Sequence, residues 1–445
     1  MRLIFKPQTF LLFVSVILLA GLVTVVLQFY SGDFLKNIFG PAELPDRTQS
    51  STAAIIVQRG RMRVGVRQDM PPFGFFNSAG ELVGFDVDLA TEVAKRWLGK
   101  ENGIEFVAVS AADRIPRLAA GDVDLLFAAM PDKRERDAFI DFSQPYFIDG
   151  QTLLVREESA IQTVADLNDK LVGVVQEAYA TEPLAQAATA ARVSLQTMAY
   201  ESYSQALAAL TADEIDAITG NAVALNQFTR TTPGLRMMGN RLTQDYFAVG
   251  LPQADSTLRA MVNFTLQDMQ EDGTYATLYR RWFPADEPMT LDISPGQWEY
   301  KRLDQLPKEP IPVVQSQVET ILNRRQLIAA VHNDFWPFSS VNEQGQRVGF
   351  DIDLVREFAK RWLGDPNAVT LVEGEPVTQV NRLVAGEVDL VAAALVAQRE
   401  WAQQIDFSQP YIGTPVVSLP LTIGLPKYDA MYRELVNVTL QEMKV

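Results

Sequence analysis

The chain has 445 residues, 47% of them hydrophobic and 21% charged, which is enough for two or three cores and an ordinary globular balance. Its net charge of −16 argues against nucleic acid and anionic lipid surfaces as partners, since both need a cationic face. The lack of cysteine excludes disulfides, thiolate chemistry and a lipidated-cysteine anchor, and the single histidine, His332, leaves little for Ser–His chemistry or a metal site, so no cofactor and no metal are expected.

Residues 7–32 carry no charge, and the apolar run Phe10 to Phe29 matches a bilayer's hydrocarbon core at about 30 Å as a helix. Arg2 and Lys6 precede it, which keeps the N-terminus cytoplasmic and sends the bulk of the chain to the other side. A cleaved signal peptide is the competing reading, but the exit Leu27-Gln28-Phe29-Tyr30-Ser31 offers no small-x-small site. Residues 1–31 are therefore expected to be a cytoplasmic stub and membrane anchor, and 32–55 a juxtamembrane linker.

From there the chain repeats itself. Gly84-Phe85-Asp86-Val87-Asp88-Leu89, Ala94-Lys95-Arg96-Trp97-Leu98-Gly99 and Asp141-Phe142-Ser143-Gln144-Pro145-Tyr146 each recur 265 residues later. Gly250-Leu251-Pro252 and Val262-Asn263-Phe264-Thr265-Leu266-Gln267 recur only 174 residues later, so the second copy lacks a block of 91 residues. A period this long is domain duplication. The lost block has its own strand–helix alternation. It runs from Thr152-Leu153-Leu154-Val155 through Leu171–Val175, a helix from Tyr203 to Ala212 and Ile215–Ile218, and ends at Tyr246–Gly250. This reads as a second lobe inserted into the first. Lobe 1 covers 56–152 and 250–285, and lobe 2 covers 153–249. Residues 286–316, with prolines 288, 295, 307, 310 and 312, read as a semi-rigid linker, and 317–445 as a truncated copy of lobe 1 alone.

Within a lobe the expected order is strand, turn, strand, helix. Met62–Val66 is a strand, Asn77-Ser78-Ala79-Gly80 a turn, and Asp86 the N-cap of a helix carrying Leu89, Val93 and Trp97 on one face, with Asp88 in its first turn. The two aspartates read as structural rather than as metal ligands.

Val64-Gly65-Val66, Pro71-Pro72-Phe73, Gly84–Leu89, Gly121-Asp122-Val123-Asp124, Ile140–Tyr146, Asp272-Gly273-Thr274-Tyr275 and Trp282-Phe283 are each weak alone. In this order and spacing they resemble the family 3 solute-binding proteins over residues 62–284, and residues 318–443 resemble the first-lobe half only. The resemblance implies a periplasmic-binding-protein-like α/β domain of two lobes that close on a solute, plus an additional single α/β lobe, preceded by the membrane helix. It also implies an amino acid or related small carboxylate as ligand and an ABC permease as partner. Strand carboxyl ends and hinge closure are how such folds bind.

The resemblance assigns the ligand's α-carboxylate to Arg136, six residues before Phe142, whose guanidinium fork donates two parallel hydrogen bonds. Arg67 and Arg114 match arginines of the glutamate/aspartate branch. Met70 and Phe73 would form an apolar floor, with Met70 standing where many members carry a stacking Tyr. The stretch Ala128-Ala129-Met130-Pro131 lacks the hydroxyls common there, and Pro131 removes an N–H donor. In lobe 2 the family's Gly-Thr cradle becomes Glu177-Ala178, and the ammonium-pairing Asp becomes Asn221. In the second copy Arg67, Arg114 and Arg136 become His332, Gln379 and Trp401, which reads as a non-binding docking or spacer lobe. Two other readings stand beside the receptor. One is a binding fold with a decayed cleft acting as an interaction or sensor protein. The other is a cyclohexadienyl-dehydratase-like enzyme using Glu177.

Overall fold

A computed structural model describes residues 50–100, 102–137, 139–175, 181–307, 310–312, 314–413 and 419–443. The apolar run of residues 7–32 lies outside them. Among the described residues no helix is long and apolar enough to cross a membrane. The chain divides into two compact units, one made of residues 49–311 with 398–403, the other containing 312–397 and the residues from 404 onward.

The first unit holds two five-stranded sheets. In lobe 1 the order from edge to edge is Ile104–Val109, Met62–Arg67, Leu125–Pro131, Asp245–Leu251, Asp141–Asp149. The first three run parallel, and Asp245–Leu251 is antiparallel to both of its neighbours. In lobe 2 the order is Gln196–Tyr200, Leu171–Val175, Ala217–Asn221, Gln151–Arg156, Leu235–Met237. The inserted block thus rebuilds the same pattern, three parallel strands and two returning ones.

The second unit repeats lobe 1 strand for strand, in the order Val369–Gly374, Leu327–His332, Leu390–Val396, Leu421–Pro426, Ile405–Phe407. Even the register is copied: Met62 opposes Ile104 as Leu327 opposes Val369.

The repeated motifs are fold-making contacts. Trp97 Nε1 donates to Thr265 Oγ1 at 2.8 Å, and Trp362 Nε1 to Thr439 Oγ1 at 3.0 Å. Ser143 Oγ accepts the Val249 N–H at 2.9 Å, as Ser408 Oγ accepts that of Ile423. Asn263 Oδ1 accepts the Gln144 N–H and Asn437 Oδ1 that of Gln409, both at 2.8 Å. The serine and asparagine bonds satisfy backbone N–H groups inside the fold.

Three expectations need correction. Asp86 is not the N-cap. Helix Phe85–Leu98 is preceded by Gly84 at φ +144, where a Cβ would lie 2.0 Å from the Phe73 carbonyl oxygen, so only glycine fits. Asp86 turns inward instead, while Leu89, Val93 and Trp97 are buried as the helical period requires. The segment from 286, expected as a semi-rigid linker, packs against the fold: Leu291, Trp298, Leu303 and Leu306 are buried, and Trp298 packs on Phe264 with ring centroids 4.9 Å apart. Finally, residues 52–55, expected in a linker, open a helix, Thr52–Arg59. Ser51 caps it and Asp255 accepts the Thr52 N–H at 2.9 Å. Its twin is Gln317–Arg324, capped by Ser316 with Asp429 in the role of Asp255.

Candidate functional site

The parallel strands of lobe 1 point their carboxyl ends to one edge, and those ends carry the candidate residues. Met62–Arg67 ends on Arg67 and Leu125–Pro131 ends on Met130 and Pro131. Arg114 opens the helix Arg114–Ala119 and Arg136 lies in the single turn Arg134–Asp137.

Asp86 organises this edge. Its Oδ2 accepts the Ala129 N–H at 2.7 Å and its Oδ1 accepts the Tyr146 hydroxyl at 2.8 Å. Ala129 sits at φ +42, a left-handed turn inside a strand that its bond to Asp86 helps to hold. Burial pushes the Asp86 carboxyl up to about 6, while the bonds from Tyr146 and Ala129 and the charges of Arg114 and Arg67 pull it down. Arg67 and Arg114 are therefore gathered around a buried carboxylate.

Both arginines are 1–2% exposed and engaged by the fold. Arg67 makes a two-pronged pair with Asp69, Nε to Oδ1 at 2.6 Å and Nη2 to Oδ2 at 2.9 Å. Arg114 Nη1 donates to the Ala128 carbonyl at 2.8 Å. Arg136 is half-buried, with Nη1 donating to the Pro131 carbonyl at 2.8 Å. Of the three, Arg136 alone keeps substantial exposure.

The apolar candidates fall in the core. Phe73 is fully buried, with Phe147 at 4.9 Å, Phe247 at 5.4 Å and Phe283 at 5.6 Å between centroids. Its ring is enclosed by other rings, which corrects its reading as cleft floor. Met130 packs in a core cluster with Leu126 and Ile140, and Met70 is buried as well.

On lobe 2, Asn221 ends the strand Ala217–Asn221 and is buried. The Tyr203 hydroxyl accepts the Asn221 N–H at 3.1 Å and lies 3.4 Å from its Oδ1. Glu177 and Ala178 lie outside the described residues. Among the described residues no cluster of His, Asp or Glu could hold a metal ion.

Two crossings join the lobes, at Asp149-Gly150-Gln151 and at Arg241–Asp245. Asp149 and Asp245 face each other across them and both are buried. Asp245 pairs with Lys133 at 2.7 Å, and Arg241 lies 3.9 Å from Asp149. A Cβ on Gly150 would come within 2.1 Å of the Thr243 carbonyl oxygen, so the crossings run in close contact. Burial raises Asp149 to about 7, against Arg241 and the N–H groups of Gly150 and Val223.

Sequence reasoning missed Asp69, Tyr146, Tyr203 and the Asp149–Asp245 pair. Asp69 stands two residues from Arg67, and Tyr146 recurs with Asp86 as Tyr411 with Asp351, so both carried a signal. Asp351 again accepts from Tyr411 and from the Ala394 N–H, both at 2.7 Å, and Ala394 again sits at φ +48. Burial raises Asp351 to about 6. The second unit thus keeps the scaffold of the site without its arginines. Gln379 ties the Val331 and Val372 carbonyls together where Arg114 stood.

The sequence profile of bacterial extracellular solute-binding proteins, family 3, matches residues 62–285 and again 327–445. The ABC transporter glutamine-binding protein GlnH of Bacillus subtilis (strain 168) is 31% identical over 55% of this chain and 89% of its own length. The glutamine-binding protein of Geobacillus stearothermophilus is 32% identical over 45% and 76%. A solved ancestral arginine-binding protein bound to glutamine is 31% identical, covering 51% of this chain and 98% of its own, with a TM-score of 0.46. Two profile matches, in register with the two copies of the duplicated lobe, establish that the chain belongs to the bacterial extracellular solute-binding proteins, family 3.

Proposed function

We propose that the first unit is an extracytoplasmic receptor for an amino acid or related small polar carboxylate, anchored through residues 1–31, which delivers its solute to an ABC permease when the lobes close. Family membership and the names of the relatives, all amino-acid-binding proteins, support a receptor over an enzyme. The observation that carries the reading is Arg136, a half-buried guanidinium whose Nη1 donates to the Pro131 carbonyl at the carboxyl edge of lobe 1. A guanidinium placed at that edge is the group that pairs with a carboxylate through parallel hydrogen bonds.

Side-chain preference follows from what the other arginines do. With Arg67 held by Asp69, and Arg114 by Ala128 and the charge of Asp86, a second ligand carboxylate gains less than three converging arginines would provide. The geometry favours an amino acid with an uncharged polar side chain over a dicarboxylate.

The test is thermal unfolding of the full chain against a panel of amino acids and dicarboxylates. A ligand at about 100 times its Kd stabilises the first unit by about 2.7 kcal/mol, which is visible as a melting shift. The shift should disappear in Arg136→Ala. Well-folded protein that shifts with no solute on the panel would sink the receptor reading and leave the decayed-cleft interaction protein in its place.

A further inference from the structure

The turn that carries Arg136 is fastened to both crossings between the lobes by a line of hydrogen bonds. The line starts at the first crossing, where the Gln151 N–H donates to Thr243 Oγ1 at 2.8 Å. A hydroxyl can accept and donate at once, and Thr243 passes its own proton to Asp245 Oδ2 at 2.9 Å. Asp245 Oδ1 accepts from Lys133 Nζ at 2.7 Å. The Lys133 carbonyl then accepts the Arg136 N–H at 2.9 Å. Asp245 is 1% exposed, and a carboxylate so deep is costly unless it is paired and hydrogen-bonded. Lys133 supplies the charge from the turn and Thr243 the hydroxyl from the crossing. The turn therefore cannot leave the crossing without stranding that carboxylate. The backbone adds a parallel tie, from the Asp132 N–H to the Tyr246 carbonyl at 2.9 Å.

The duplicate separates bonds that build the fold from bonds that serve something else. The second unit keeps the builders of lobe 1: Asp351 with Tyr411 and Ala394, Ser408 with Ile423, and Asn437 with Gln409. It does not carry the residues of this line. Gln398 stands where Lys133 does, Trp401 where Arg136 does, and Thr243 and Asp245 fall in the block that it lost. A lobe of this architecture therefore folds without the line. The line belongs to the copy that has both a second lobe and Arg136.

We propose that Lys133, Thr243 and Asp245 are positioning residues for solute capture, coupling the geometry of the two crossings to the seat of Arg136. The inference rests on Arg136 as the group that receives the solute carboxylate. Closure of two lobes is absorbed where the chain crosses between them. Thr243 and Asp245 stand at a crossing, and through them its rotation is delivered to Lys133 at the head of the Arg136 turn. Linkage makes the effect reciprocal: a carboxylate held on Arg136 biases the crossings toward the arrangement in which it is held best. Such coupling through a contiguous line of bonds has to be shown by perturbing one end and reading the other.

The test changes Thr243 in the full chain and takes two readings. Thr243→Val removes the hydroxyl and keeps the shape, and Thr243→Ser keeps the hydroxyl. The first reading needs no solute: hydrogen–deuterium exchange over residues 132–140, whose bonded amides include those of Asp132, Arg136 and Ile140. Valine should speed it about 10-fold, and serine should restore most of the protection. The second is a titration with an equimolar mixture of the standard amino acids, followed by melting temperature. The half-saturating concentration should rise about 10-fold with valine and return toward wild type with serine. A role confined to Thr243's own crossing would leave residues 132–140 unmoved. If Thr243→Val does not fold, Asp245→Asn, which removes the charge that Lys133 answers, takes its place in both readings. Equal half-saturation of wild type and variant overturns the proposal and leaves the receptor reading standing. If the wild type shifts with no amino acid, the receptor reading fails instead, and exchange alone decides the coupling: faster exchange upholds it, unchanged exchange overturns it.

Discussion

Replacing Asp86 by Ala and by Asn separates its roles as hydrogen-bond acceptor and as buried charge. Alanine leaves the Ala129 N–H and the Tyr146 hydroxyl facing an apolar gap where bonds of 2.7 and 2.8 Å stood. Asparagine keeps a carbonyl for Ala129 and offers its amide to the tyrosine oxygen, while removing a carboxylate that burial disfavours. Each buried donor left unmade costs about 1–3 kcal/mol. The alanine variant should therefore lie about 3 kcal/mol below the asparagine variant at neutral pH. For a unit of this size that is a gap of about 9 °C in melting temperature. Calorimetry should place the loss in the transition of the first unit, and Asp351→Ala against Asp351→Asn should place its own in the second, because separate units need not melt together. If alanine and asparagine melt within about 3 °C of each other, measured on the same scale, the acceptor role assigned to Asp86 is wrong and the left-handed turn at Ala129 is held by something else.

Gly84→Ala forces a Cβ to 2.0 Å from the Phe73 oxygen at a φ of +144. Its soluble yield should collapse, whereas Gly80→Ala, in open space, should lose only about 1 kcal/mol by urea titration. Asp149 has a folded pKa of about 7, above its usual 3.8, so the folded state holds the proton more tightly and its contribution is lost as pH rises from about 4 through 7. Asp149→Asn should then become more stable relative to wild type across that window, by up to about 1.4 kcal/mol per pH unit; a pH-independent difference in denaturation midpoints would contradict the assignment. Trp298→Ala empties a buried site against Phe264. It should cost about 3–5 kcal/mol and open residues 286–311 to limited proteolysis; an unchanged digestion pattern would show that Trp298 does not hold this segment down.

The duplication is where sequence and structure agree most closely. Blocks recurring 265 residues apart must meet the same environments if they fold alike, and their sheet order and register are indeed copied. The loss of 91 residues marked out the second lobe for the same reason: a block that can be deleted between two returning strands has its own sheet. The residues that make long-range bonds were visible as repeated letters, but their roles were not. Ser143 and Val249, or Asp88 and Trp282, are brought together only when strands and helices more than a hundred residues apart pair.

The site was read one step short for that reason. The chain by itself determined the family pattern, the strand ends and the three arginines, because spacing along strands and helices is a local property. Only the tertiary structure decided which arginine stays partly exposed. Arg67 meets Asp69, Arg114 turns to Ala128 and Asp86, and Arg136 remains half-buried. Phe73 and Trp298 moved from cleft floor and linker into cores because an apolar side chain goes where apolar surface is offered, and that surface is assembled from the whole fold.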